Sequence, residues 1–443
     1  VSLDALRGTI MLFMASAGFG IPQVARHFPD SGLWSFLSLH TSHVAWVGGG
    51  AWDMIQPAFM FMVGVALPFS IARRKEMGEV TALVNRNVSF GHPPKSLFFL
   101  SFLMCWLIAG GVEVKFGWMV AAVSGGKIGV TGAVISYLAW WFYLLMGHPI
   151  KRSFILVALA VFLASNFTRT TNFMFTNVLG QIGLGYTFLF LLHGRGWKVQ
   201  LGAMAAIAVG VWTFFAMHPV PPAGFDFAKV GVKADELKDA VLLGFFAHWD
   251  KNTNAAAAFD QWFLNLFPRD EKFVFNAGGY QTLNFVPSLI TMILGLLTGE
   301  MLRRNGTDRQ RVAWMFAVGA ACLALGLIAG WTVCPIIKRI WTPSWALFSG
   351  GIVLWVLAGY YWLVEMRGCK GAVFPLAIVG MNSIAIYLMD QLLPGWITGT
   401  LKTHLGQHIF DGAYGIVWQR CSVLAVLWLV CWWMYRRKIF LRI

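Results

Sequence analysis

An all-α fold, a polytopic transmembrane helical bundle of about 11–12 spans, is what this sequence predicts, and three observations carry the prediction. Composition is the first: 58% of the 443 residues are hydrophobic and 12% charged, with a mean hydropathy of +0.66. A water-soluble chain has about a quarter of its residues charged, and its interior could not hold this much hydrocarbon. Run length is the second. Apolar stretches of about 16–22 residues recur, long enough to cross a bilayer as helices, whereas the runs of roughly ten alternating residues that build a membrane barrel are absent. Charge placement is the third. The 34 Lys and Arg against 19 Asp and Glu leave +15, which in a soluble protein would suggest nucleic acid. Here the basic residues cluster at the ends of apolar runs as topology signals, so no nucleic-acid partner is expected.

The elements follow in order. In VSLDALRG at 1–8, Asp4 and Arg7 stand three apart and meet on one helical face, as a structural pair or as part of a polar cytoplasmic opening. The first apolar run ends near 20–24, and the loop around 22–50 holds His27, His40 and His43. Further spans are expected at 52–71, 96–111, 131–147, 151–166, 176–192 and 199–217, and, after a long polar stretch, at 286–302, 312–330, 344–365, 371–389 and about 416–434. With the N-terminus inside, strict alternation puts Arg73/Arg74/Lys75, Lys151/Arg152, Arg195/Lys198, Arg303/Arg304/Arg309/Arg311, Arg367/Lys370 and Arg436/Arg437/Lys438 all on the cytoplasmic side, as the positive-inside rule asks. The stretch 112–130, with Lys115 and Lys127, is the weak point of the count and reads as a re-entrant candidate. The chain 1–443 is then a single integral membrane domain with a long extracytoplasmic region at about 219–285. No cleavable signal segment is visible, and a chain opening at Val1 is expected to follow a trimmed or longer start. The six Cys are scattered singly and read as small apolar fillers.

Alternation also sorts the candidate chemistry. His43, Asp53, the 219–285 region, Lys338 and Arg339 fall on or near the outer face. Histidine suits proton transfer near neutral pH, and a carboxylate on its other nitrogen fixes the tautomer. His43 has Trp46 three residues on, a Gly48-Gly49-Gly50 turn that lets the chain fold back, and Asp53 just beyond it. A solvated, idle loop histidine is the plain alternative. Gln56 and Pro57 interrupt the second span, which frees a carbonyl and suggests either a lined chamber or a simple kink. His40 with His43, and His404 with His408, have ligand-like spacing but lack the Glu of an H-E-x-x-H site, so no metal is expected. In the outer region His248, Trp249 and their neighbouring amides suit sugar contact, and equally suit a helix lying at the headgroups. Asn284 at the mouth of a span is the better candidate there. Asn382, an amide inside GMNSIAIYLM, must find a partner, whether a ligand or a neighbouring helix. Lys338 and Arg339 oppose the positive-inside trend; they neutralise an acidic substrate or a pocket carboxylate, or sit in a tolerated short loop. No phosphate-binding loop of the P-loop or Rossmann type is present.

Several of these pieces together resemble one family. SLDALRG at 2–8, H-x-x-W at 43–46, D-x-x-x-P-x-F-x-F-x-V-G at 53–64, NFVPSLITMILGLLTGE at 284–300, KRIWTPSWALFS at 338–349 and VGMNSIAIY at 379–387 are similar to the transmembrane acyltransferase family of heparan-alpha-glucosaminide N-acetyltransferase, including its bacterial relatives. Two departures stand out: MASAGFG at 14–20 lacks an Asn that animal members carry, leaving Ser16 there, and VLGQIGLGY at 178–186 has Gln181 where an Arg is usual. The resemblance implies transfer of an acetyl group from cytoplasmic acetyl-CoA, the acyl-donor substrate, to an extracytoplasmic sugar or glycan acceptor, an amino sugar in the first instance, without a metal. It implies an N- or O-acetyltransferase of the bacterial inner membrane, its acceptor site facing the periplasm or exterior, surrounded by lipid, with a homodimer allowed. His43 would be the general base oriented by Asp53. Trp46, Asn284, Asn382, His248 and Arg339 would contact the acceptor or the developing oxyanion, and Arg73, Arg74, Gln181, Arg303 and Arg304 would meet the coenzyme. The competing class is a secondary transporter of a sugar or small metabolite; many carriers show two related halves, and the 43–70 pattern is not repeated in the second half of this chain.

Overall fold

The computed structural model describes residues 1–76, 78, 148–166 and 168–441. The expected spans at 96–111 and 131–147, and the re-entrant candidate at 112–130 with Lys115 and Lys127, lie outside the described residues. Among the described residues the fold is all-helical; the only β pairing is two isolated bridges, of Val47 and of Gly48 with Ile337. The helices are α1 (Ser2–Ala15), α2 (Ile21–Ala25), α3 (Gly32–Thr41), α4 (Ile55–Glu76), α5 (His148–Ala164), α6 (Val178–Leu192), α7 (Trp197–Ala216), α8 (Ala255–Phe263), α9 (Phe285–Arg303), α10 (Asp308–Thr332), α11 (Pro343–Tyr361), α12 (Lys370–Met381), α13 (Ser383–Leu392), α14 (Pro394–Leu405) and α15 (Gly415–Arg436).

Seven helical stretches among the described residues are long and apolar enough to cross a membrane, and eight if α12 and α13, bent by 67° at their break, form one span. Two more expected spans are met by shorter helices, α5 with 17 residues and α6 with 15. The count of about 11–12 spans thus exceeds the number of full-length ones because two lie outside the described residues and two are short. Local chemistry explains several boundaries. Thr307 and Gln310 form a reciprocal capping box ahead of α10, and Thr342 caps α11 with Pro343 at its first position, where a missing N–H costs nothing. The expectation that Pro57 breaks its span is corrected on the same ground. It falls in the first turn of α4, after a 3₁₀ turn at Trp52–Met54, while Pro68 is the interior proline.

The centre of the bundle is the parallel pair α4 and α9. A methyl group on Gly64 would overlap the Met292 carbonyl, and one on Gly295 or Gly299 would overlap the carbonyl of Phe61 or Val65. Small residues at this spacing let two backbones touch, which is how helices associate where lipid removes the hydrophobic drive. Gly8 of α1 and Gly380 of α12 meet in the same way. Met60, Phe61, Met292, Ile293 and Leu354 fill the core around the pair.

Contacts then gather the basic clusters at one end. Arg303 donates to the Pro68 carbonyl at 3.0 Å, the Ser2 amide donates to Glu365 at 3.2 Å, and Arg311 binds Asp308 and the Tyr361 hydroxyl. At the opposite end the 219–285 region folds as short turns and α8 around Trp249, whose ring packs in one cluster with Trp46, Phe215 and Ile337.

Candidate functional site

Three chain segments build the site at the start of α4. The Gly48–Gly50 turn, with Gly48 at φ 98°, folds His43 back over Asp53. A tightly wound loop at 335–342 supplies Lys338 and Arg339. In it the Thr342 hydroxyl donates to the Pro335 carbonyl at 2.8 Å and accepts from Ile337 N at 3.0 Å, and buried Trp341 is held at φ 50°, a left-handed conformation rare for a bulky residue. The third segment, 278–284, leads from the outer region into α9.

His43 Nδ1 lies 2.7 Å from Asp53 Oδ1. Lys338 Nζ stands 3.0 Å from the same ring nitrogen and 3.2 Å from Asp53 Oδ1. Asp53 Oδ2 accepts from the backbone of Gly50 at 3.0 Å and of Val44 at 3.3 Å. Asp53 and Lys338 are 1% and 4% exposed, His43 40%. A buried carboxylate without partners costs several kcal/mol; this one is met by four donors, while one side of the imidazole stays open. Burial holds the His43 imidazole below its ordinary value, the bond to Asp53 opposes this, and the Lys338 ammonium adds to the lowering. An uncharged ring beside an ionised carboxylate can take a proton from an incoming group.

The other expected outer residues surround this centre unevenly. Arg339 spans two backbone carbonyls, Gly278 at 2.7 Å and Val44 at 3.0 Å, so its guanidinium braces the segment next to His43. Asn284 donates to the Arg339 carbonyl at 2.6 Å and lines an apolar cavity of about 440 Å³ between α7 and α9. Trp46 is buried, its indole N–H donating to the Trp249 carbonyl at 3.0 Å. His248 bonds the His218 carbonyl through Nδ1 at 2.7 Å and stacks edge-on to Phe245, away from the bonds that hold His43. Asn382 sits at the α12–α13 break, where its amide donates to the Ile439 carbonyl and accepts from Leu441 N, both at 3.0 Å. That pins the C-terminal tail at the other end of the bundle. Of the expected metal pairs, His40 Nδ1 is turned to the Ala51 amide, and His404 and His408 are separated by the end of α14 at Gly406, so the latter two do not share a helix face.

At the far end of α4 a cavity of about 450 Å³ is lined by Asp4, Arg7, Phe59, Met62, Val63, Ala66, Ser70, Arg73, Arg152, Ile182 and Tyr186 among others. Arg152 donates to the Tyr186 hydroxyl at 2.8 Å, and Arg7 pairs with Asp4 at 3.3 Å, so the pair at the chain start is also part of a polar opening. Arg74 is half-buried beside Arg73, while Arg303 and Arg304 are exposed at the C-terminal end of α9 and are not among the residues lining the cavity. Gln181 is fully buried above it, accepting from Gln56 at 3.3 Å. The lining residues of α4 recur at three- and four-residue steps, and Gln56 and Asp53 continue that stripe. From Arg73 to Asp53 it runs about 30 Å at 1.5 Å per residue.

The sequence places Arg7 at a polar opening and Gln56 beside a chamber or kink, but does not join Arg7 with Arg152 in one cavity or pair Gln56 with Gln181 above it, and it leaves Lys338 open between a tolerated loop and a pocket. The signal for Lys338 was its charge on the wrong side of the membrane. Nothing local marked Gln56 and Gln181 as partners, 125 positions apart. Compared with protein-family models and with curated proteins, the chain matches none.

Proposed function

We propose that this protein is a transmembrane acyltransferase that moves an acetyl group from acetyl-CoA, bound at the Arg73 end, to a sugar or glycan acceptor at the His43 end. One observation carries the reading: a single face of α4 runs from a basic cavity, past the buried Gln56–Gln181 pair, toward an Asp-held imidazole. Guanidinium groups suit the phosphates of a coenzyme, and a narrow stripe of small and apolar side chains suits an extended thioester arm. The resemblance of the 43–64 and 338–349 segments to the acyltransferase family points the same way.

In this reading the acceptor amine or hydroxyl attacks the thioester carbonyl as His43 Nε2 takes its proton. The collapsing intermediate expels the coenzyme thiolate, which leaves protonated, and the ring returns to neutral. Backbone amides of the Gly48–Gly50 turn are eligible donors for the developing oxyanion. The basic end would face the cytoplasm and the His43 end the periplasm or exterior. The test is calorimetry with folded, purified protein, followed by acetyl transfer to glucosamine and to a panel of hydroxyl sugars. Binding of acetyl-CoA with turnover supports the reading, and failure to bind even at about 1 mM, the upper end of ordinary KM values, sinks it.

A carrier is the second reading, favoured by the 67° break at Asn382, since broken spans line many transport pathways. Uptake of labelled sugar by proteoliposomes without acetyl transfer would select it.

A further inference from the structure

We propose that Lys338 is a positioning residue of the His43 site: its ammonium holds Asp53 so that the imidazole rests as the uncharged Nδ1–H tautomer, with the Nε2 lone pair turned to the acceptor. The proposal rests on the acyl-transfer reading above.

The hydrogens are fixed by elimination. Asp53 receives donors on both oxygens, from Gly50, Val44, His43 and Lys338, and such a carboxyl stays ionised. At 2.7 Å from that anion, Nδ1 must carry a proton, because two lone pairs do not approach so closely. Lys338 therefore has no acceptor on the ring, although its Nζ is 3.0 Å from Nδ1. Its hydrogens go to Asp53 Oδ1 and toward the Tyr280 hydroxyl at 3.5 Å.

Charge balance supplies the function. A carboxylate beside an imidazole favours a second proton on the ring, and the imidazolium so formed cannot act as a base. Here one buried cation already balances the one buried anion, and a positive ring would stand beside the ammonium. The groups facing His43 from each packed element agree with this. Asp53 and Trp52 come from the turn before α4, and Lys338 and Arg339 from the 335–342 loop. Tyr280 reaches the ring only through Lys338, and His40 of α3 is turned to the Ala51 amide. The first carboxylate in this set is also the last. The lowered value of the His43 imidazole follows the same sign, with burial as its largest cause.

The experiment reads the ring directly. Diethyl pyrocarbonate acylates neutral imidazole, so the pH dependence of its reaction at His43, resolved by peptide mass spectrometry, titrates that ring in the intact protein. The native midpoint is expected below the ordinary 6.5. In Lys338→Met it should move up by about one pH unit or more, the usual size of a close charge effect, and the acid limb of acetyl transfer should move with it. Lys338→Arg should restore both. A native midpoint above about 7, an imidazole that is charged at neutral pH, overturns the proposal without any variant having to fold. So does an unmoved midpoint in Lys338→Met, even with reduced activity, since that marks a lysine that only supports the loop. If the native protein transfers no acetyl group, the acyl-transfer reading fails, while the titration still decides what Lys338 does.

Discussion

At the turn before α4 Asp53, His43 and Lys338 meet one another, whereas at the last turn of α4 three guanidinium-bearing residues, Arg7, Arg73 and Arg152, line a cavity whose described lining includes one carboxylate, Asp4. The same helix therefore carries two kinds of site. At the His43 end four donors saturate Asp53, and the only freedom left is the open side of the imidazole. An arrangement of this kind would suit proton transfer and has little to offer as net binding charge. At the Arg73 end the described lining carries more positive than negative charge, a balance that favours an anion. The difference teaches that loss of function should look different at the two ends: rate at one, affinity at the other.

The largest expected effect breaks the His43 end. His43→Ala should cut acetyl transfer by roughly 10²–10⁴ while leaving acetyl-CoA affinity nearly unchanged, because general-base help belongs to the transition state. Initial rates paired with calorimetry check it, and near-full turnover would refute the assignment. Asp53→Asn should lose a comparable or smaller factor. In the double variant the second change should add little, since an orienter has nothing to orient once the base is gone.

At the other end, Arg73→Gln with Arg152→Gln should weaken coenzyme binding by about tenfold or more, the worth of one charge-assisted hydrogen bond, with kcat kept and the salt dependence of binding reduced. Arg304→Gln, exposed and away from the cavity lining, should change affinity by no more than about twofold, as solvent-exposed charges do. An equal loss from both would erase the distinction between cavity and surface arginines.

A structural prediction sharpens the role of α4 as the shared frame. Gly295→Val drives a side chain into the Phe61 carbonyl, and overpacking of this kind costs about 1–3 kcal/mol. The apparent Tm in detergent should fall, and both ends should lose function together.

The smallest effect concerns the outer region. Burial pushes Asp250 and Asp260 up to about 6, above their unfolded values. Their contribution to stability is therefore complete at acid pH, below the unfolded carboxylate range, and is lost as pH rises through about 6. His43 acts in the opposite sense, since a ring held below its ordinary value loses stability as pH falls through that value. Asp260→Asn should flatten the rise in Tm expected between pH 7 and about 5, and an unchanged slope would remove Asp260 from the account.

Hydropathy and charge made the helical frame legible. Each run at 52–71, 286–302, 312–330, 344–365 and 416–434 meets a helix, because crossing a bilayer is a demand on the segment itself and needs no partner to state it. His43 and Asp53 were legible as a pair for a similar reason: ten positions and a glycine turn keep them local. Pro57 misled because a proline's effect depends on where the helix begins, and the 3₁₀ turn ahead of it moved that start. What only the tertiary structure decided is the company each polar group keeps. Lys338 reaches His43 across 295 positions, Gln56 reaches Gln181 across 125, and Asn382 turns to the C-terminal tail. In a low-dielectric interior a polar group must be paired, so the sequence by itself determined that these residues have partners. Which partners they have depends on how the helices pack, and that depends on glycine contacts between α4 and α9, and between α1 and α12, that carry no mark in either helix alone.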